Sequence, residues 1–216
     1  MTRAHDIDRF QSLWRRCLLE QADDNSIAIH QQLIDAYSEP QRVYHTLKHI
    51  EHCLAHLDNI SNYLQNPDAV ELAIWYHDAI YKPGARNNEQ LSADLFMETT
   101  RGRFDDSLRN TVYQHIMATL HDDSEFENSD TKFMVDIDLS SFGLPWPEFS
   151  QDSDNLRLEM RGLSDEDFHR RQSRFQQSLM ERARLFKSDY FYENYEQQAR
   201  QNLIDYFETN RQLKPD

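Results

Sequence analysis

Glycine is scarce in this chain: Gly84, Gly102, Gly143 and Gly162 are the only four, and each falls where a run of periodic apolar residues gives out. Glycine tolerates left-handed backbone and so commonly ends helices. Pro40, Pro67, Pro83, Pro145, Pro147 and Pro215 also fall between such runs. Within the runs, apolar side chains recur at steps of three and four: Phe10, Leu13, Trp14, Cys17, Leu18; then Ile50, Cys53, Leu54, Leu57, Ile60, Leu64; then Tyr195, Ala199, Leu203, Phe207. That spacing lines one face of an α-helix, and no stretch alternates with the period of a strand. An all-α fold is expected, with helices over roughly 6–21, 26–37, 44–64, 68–81, 88–100, 105–121, 131–140, 146–158, 165–187 and 190–212. Ser164 followed by Asp167 resembles a capping box, and Asn25-Ser26 offers a helix start.

With 216 residues the chain is long enough to enclose a core, and 12 Phe, 10 Tyr and 3 Trp supply large apolar surfaces for it. Neither a linker nor an internal repeat is visible, so one domain over 1–216 is expected. The formal charge of −15 leaves no basic stripe to displace counterions, which argues against a nucleic-acid polymer as partner. A small phosphorylated substrate stays compatible with that charge if a metal ion and a few arginines act locally. No run approaches the ~18 apolar residues of a membrane span, and the first residues lack an apolar signal segment. A soluble, cytoplasmic protein with no membrane partner is therefore expected. Cys17 and Cys53 lack CxxC spacing and read as buried free thiols, and the acidic stretch 122–130 reads as a solvated connector.

One dipeptide stands against this background. His77-Asp78 lies within Trp75-Tyr76-His77-Asp78-Ala79-Ile80-Tyr81, a stretch otherwise suited to a buried helix. An unpaired carboxylate there costs several kcal/mol or neutralises itself, so something cationic should sit against it. The helix should end near Pro83-Gly84, and the partial negative charge of a helix C-terminus also favours a cation. In the preceding helix His45, His49, His52 and His56 form a stripe at spacings of four, three and four. His49 is the member nearest the apolar face and the best placed to share an ion with His77 and Asp78. His52 and His56 are expected to stay solvated. A further carboxylate comes from Met134-Val135-Asp136-Ile137-Asp138-Leu139-Ser140, where acids two apart point to opposite sides of a helix and at most one faces a common site.

Tyr44-His45-Thr46-Leu47-Lys48-His49-Ile50, the His77-Asp78 segment and Asp136-Ile137-Asp138-Leu139-Ser140-Ser141-Phe142-Gly143, in that order, resemble the HD-domain superfamily. The set is most similar to a bacterial group described as predicted metal-dependent HD phosphohydrolases. The similarity spans roughly residues 40 to 205, through Asn88-Glu89-Gln90-Leu91-Ser92-Ala93 and Glu196-Gln197-Gln198-Ala199-Arg200-Gln201-Asn202-Leu203, with the N-terminal helices packed on that core.

The resemblance implies a helical bundle with a metal between central helices, and His49, His77, Asp78 and Asp138 as ligands, with Asp136 the second choice. A mixed N/O set suits Mn²⁺, Fe²⁺, Co²⁺, Zn²⁺ or Mg²⁺. The implied activity is hydrolysis of a phosphoester in a small phosphorylated molecule, a nucleotide among the candidates, by metal-activated water. Glu89 is the expected general acid/base, with a helix-dipole role as its equal alternative, and His45 is expected to contact substrate or a water. His115 by periodicity, or His121 by the family pattern, are secondary metal candidates. Arg86 is read as a surface residue with phosphate pairing as its alternative, and Arg182, Arg184 and Arg200 as ion-pair partners. Two other functions fit the resemblance: a non-catalytic metal- or nucleotide-binding protein, and a two-iron oxygenase needing more ligands than these four.

Overall fold

The computed structural model describes residues 7–122 and 124–212, with the side chains of 210–212 left aside. The predicted start at Asp6, the connector residue Asp123 and Pro215 lie outside the described residues. Among the described residues there are ten α-helices and no strand, so the fold is all-α as expected. The chain groups into two compact units, the first ending at Ile137 and the second beginning at Asp138.

The first unit holds α1 (Ile7–Cys17), α2 (Ser26–Tyr37), α3 (Leu47–Ile60), α4 (Pro67–Tyr76), α5 (Asn88–Thr99) and α6 (Asp106–Ala118), and α7 (Ser129–Asp138) runs to its boundary. Helix α4 is its axis, packing against α1, α3, α5 and α6. Every residue from Ala69 to Tyr76 is buried, so α4 has no solvent face. Asn66 starts it by accepting a hydrogen bond from the Ala69 amide, and Pro67 follows at a position where its missing N–H is harmless. Trp75 lies edge-on to Phe10 at 5.3 Å, and Phe10 stacks on Trp14 at 5.5 Å, an aromatic wall that joins α1 to α4. Asp130, buried at the start of α7, accepts hydrogen bonds from the Gln65 and Asn66 amides and so fixes α7 to the entry of α4.

Periodicity carried α4 to residue 81, but the helix ends at Tyr76. Three side chains take hydrogen bonds that a continuing helix would use. The Tyr37 hydroxyl donates to the Trp75 carbonyl, Arg42 donates to the Asp78 and Ala79 carbonyls, and the Ser92 hydroxyl accepts from the Ile80 amide. The chain leaves the helix where these partners wait.

In the second unit a 3₁₀ segment, Leu139–Gly143, leads into α8 (Trp146–Glu159), α9 (Asp165–Glu181) and α10 (Asp189–Gln212). Ser164 caps α9 by accepting from the Asp167 amide, the N-cap half of the box expected from sequence, while the Asp167 carboxylate accepts from the Ser164 hydroxyl. By contrast, Asn25 makes no side-chain cap at α2, and Asp24 accepts from the Ser26 amide instead. Arg184 pairs with Asp189 and Arg200 with Glu196, as expected of ion-pair partners. The 3₁₀ segment lies against α10, where a Cβ on Gly143 would meet Tyr195 Cβ at 2.8 Å. Gly143→Ala is expected to lower stability by about 1–3 kcal/mol through overpacking. Thermal denaturation checks this, and an unchanged melting temperature would show that the close approach is absent.

Candidate metal centre

Helix α3 begins where Thr46 accepts a hydrogen bond from the Lys48 amide, so His45 precedes the helix and His49 occupies its first turn. His49 is buried, and its Nε2 lies 3.1 Å from Nε2 of His77. His77 closes α4, donating its backbone N–H to the Ala73 carbonyl. Its Nδ1 lies 2.9 Å from the carbonyl of Ile74. A carbonyl only accepts, so Nδ1 carries the proton, and in the neutral ring Nε2 presents a lone pair.

That lone pair meets Asp78 Oδ2 at 3.1 Å, with His49 Nε2 3.7 Å and His45 Nε2 4.0 Å from the same oxygen. Two acceptors facing each other at that distance repel unless a proton or a metal ion lies between them. A second proton on His77 would answer one contact. The group is larger, however: ligand atoms of His49, His77, Asp78 and Asp138 all lie within 4.8 Å of one another. Two nitrogens bound at ~2.0–2.1 Å to one ion stand roughly 2.9–3.4 Å apart between right-angled and tetrahedral arrangements, which brackets the His49–His77 separation. This group can hold a metal ion. His49, His77 and Asp78 are buried and Asp138 is half-buried, so one side of the group is more open than the others.

Asp138 ends α7 and is the carboxylate that converges; Asp136, fully buried two residues earlier, is not part of the group. The two lie ~200° apart around a helix, which separates them. His45 stacks on Tyr81 with ring centroids 4.1 Å apart, turning its Nε2 toward Asp78. Glu89 is half-buried in the first turn of α5 and Arg86 is exposed in the turn before it. Glu89 is not part of the converging group. Cys53 is buried on α3 with Sγ 3.7 Å from His49 Nε2, and neither cysteine is in a disulfide. Cys17 is only partly buried, yet burial pushes its thiol up to about 12.

His52 and His56 were expected in solvent, yet His56 is buried and the two rings meet edge to face at 4.6 Å; burial pulls the His56 imidazole below its ordinary range. His121 stands just beyond α6 in left-handed backbone, φ 53°, and is not part of the converging group. His115 is fully buried, as its periodicity predicts, and is likewise not in the group. Its Nδ1 lies 3.0 Å from Thr131 Oγ1, a contact that links α6 to α7.

Burial holds the His115 pKa down to about 4, against a partial upward pull from Asp130. An unfolded imidazole titrates near ~6.5, so between these values the unfolded chain binds a proton that the folded chain refuses. The neutral state of His115 thus supports the fold fully above pH ~6.5, and that contribution, roughly 3 kcal/mol, fades as the pH falls toward 4. His115→Gln is expected to flatten the rise of unfolding free energy with pH across this window. Urea titrations at several pH values in a metal chelator test it, and equal slopes in both proteins would count against the assignment.

Arg42 is the residue at this site that sequence reasoning missed. It lies before α3, with a fully buried side chain that donates Nη1 to the carbonyls of His45, at 3.1 Å, and Asp78, at 2.7 Å. An arginine three residues before a histidine gives no sign of this in sequence, because its partners are backbone oxygens 36 and 37 residues away.

Fold and site together define an all-α protein with a His/Asp group able to hold a metal ion. No family model matches the chain, and no curated protein and no solved structure matches it either. Among the described residues no helix is long and apolar enough to cross a membrane.

Proposed function

We propose that this chain is a metal-dependent phosphohydrolase of the HD-domain type, acting in the cytoplasm on a small phosphorylated molecule such as a nucleotide. The observation that carries the reading is the opposition of His77 Nε2 and Asp78 Oδ2 at 3.1 Å inside a four-residue converging group. The order of His49, His77-Asp78 and Asp138 along the chain supports the family, and two cysteines outside any disulfide suit a reducing compartment. His49, His77, Asp78 and Asp138 are the residues to hold a divalent ion. When bound, such an ion supplies Lewis acidity toward a phosphoryl oxygen and a nucleophile at neutral pH. The chain supplies the rest. The Ile74 carbonyl keeps the proton of His77 on Nδ1, so Nε2 stays a ligand atom. His45, held against Tyr81, orients substrate or water by hydrogen bonding. Glu89 delivers the proton that the departing alkoxide takes up.

The test is a screen of phosphomonoesters and phosphodiesters with purified protein and added Mn²⁺, Co²⁺, Mg²⁺ or Zn²⁺. Turnover with at least one ion, abolished by chelation, is expected. Tight metal binding with no turnover on any ester would make the chain a binding protein instead.

A further inference from the structure

We propose that Arg42 is a positioning residue of the metal centre, setting the spacing between the His45–His49 segment and the His77-Asp78 pair. The proposal rests on the reading that these residues hold a metal ion. One guanidinium joins two chain segments: Nη1 donates to the carbonyls of His45 and Asp78, and Nη2 donates to the carbonyl of Ala79 at 3.0 Å. Its Nε donates to Glu39 at 3.1 Å, and its flat faces meet the rings of Tyr37 and Tyr81 at 5.1 and 5.5 Å from their centroids.

A buried cation is costly to desolvate, and it normally ends on a carboxylate. Here the carboxylate that Arg42 meets, Glu39, has a side chain 43% exposed, while the buried end of the guanidinium goes to main-chain oxygens. The Asp78 and Ala79 carbonyls lie just beyond the end of α4 and the His45 carbonyl lies just before α3, so all three stand outside the helices. The same bonds that satisfy them also fix where the next side chains emerge. Asp78 offers its carbonyl to Arg42 on one side and its carboxylate to the metal group on the other. His45 offers its carbonyl to Arg42 and turns its ring toward Asp78, and Tyr81, which stacks on the His45 ring, is itself covered by the guanidinium. The ligand positions therefore depend on a planar fork with several donors. Lysine carries the same charge, but as a point on a flexible stem it cannot reproduce that fork.

The experiment is Co²⁺ titration of the full chain, followed by the visible absorption of the bound ion and by melting temperature. Wild type, Asp78→Ala and Arg42→Lys are compared. Wild type is expected to bind Co²⁺ with a defined visible band and Asp78→Ala to lose it. Arg42→Lys is expected to bind at least tenfold more weakly, with a shifted or broadened band. If wild type does not bind Co²⁺, the metal-centre reading fails and Arg42 falls with it. If wild type binds and Arg42→Lys matches its band and affinity, the metal centre stands and Arg42 is only a packing residue, whatever its melting temperature. Should Arg42→Lys fail to fold, Glu39→Gln, which frees the guanidinium from its orienting carboxylate at an exposed position, takes its place. A Co²⁺ affinity at least threefold weaker then supports the proposal, and an unchanged band and affinity overturn it.

Discussion

Asp78→Ala is expected to abolish the rise in melting temperature that a divalent ion confers, while leaving the metal-free protein as stable as before or more so. The two halves of this result come from the same atoms. Without an ion, Asp78 Oδ2 faces the lone pair of His77 Nε2 at 3.1 Å and stands just past the negative end of α4. Removing the carboxylate relieves both unfavourable contacts. With an ion present, a ligand that binds only the folded state stabilises it by about 2.7 kcal/mol at a hundredfold excess over Kd. Loss of a direct ligand should weaken affinity by more than the ~10–100-fold that accompanies loss of a group merely supporting one. Melting curves with and without Mn²⁺ measure both halves. A variant less stable without metal, yet still responsive to it, would mean that Asp78 is a structural acid.

Glu196→Ala is expected to destabilise the second unit by about 3 kcal/mol or more, because a buried charge partner is removed while its donors stay buried. The Glu196 carboxylate is buried; it accepts from the amides of Leu185 and Phe186 and holds Arg200 at 2.6 Å. Those two amides belong to the segment between α9 and α10, where no helix supplies their partners. Arg200 keeps the carbonyls of Met180 and Arg182 after the substitution, which limits the loss. Urea denaturation measures it. A change under 1 kcal/mol would show that water replaces the carboxylate without difficulty.

The helices were legible because glycine and proline mark their ends and apolar steps of three and four mark their faces. His49 was legible for the same reason, since its position on α3 is set by the helix's own period. The end of α4 was not. It is decided by Tyr37, Arg42 and Ser92, whose hydrogen bonds to Trp75, Asp78 and Ile80 arise only once the chain has folded. The pair Asp136 and Asp138 shows a middle case. Their separation by two residues put them on different sides of α7, but only the packing of α7 decided which side meets the histidines. The burial of His56 was hidden because a histidine stripe beside an apolar face looks the same whether or not another element covers it.

A helix buried on all sides that ends at the site has a consequence for how an ion is received. The backbone amides of Val70 to Trp75 are enclosed by four other helices, so their hydrogen exchange should follow only the largest openings of the first unit. His77 is tied to this slow-exchanging rod through its own amide and its Nδ1. Little conformational entropy remains to be lost there when a ligand arrives, which favours affinity through rigidity already present in the free chain. Asp138 and His45 are half-buried and so more accessible than His49, His77 and Asp78, and an ion held by the group would exchange with solvent on their side.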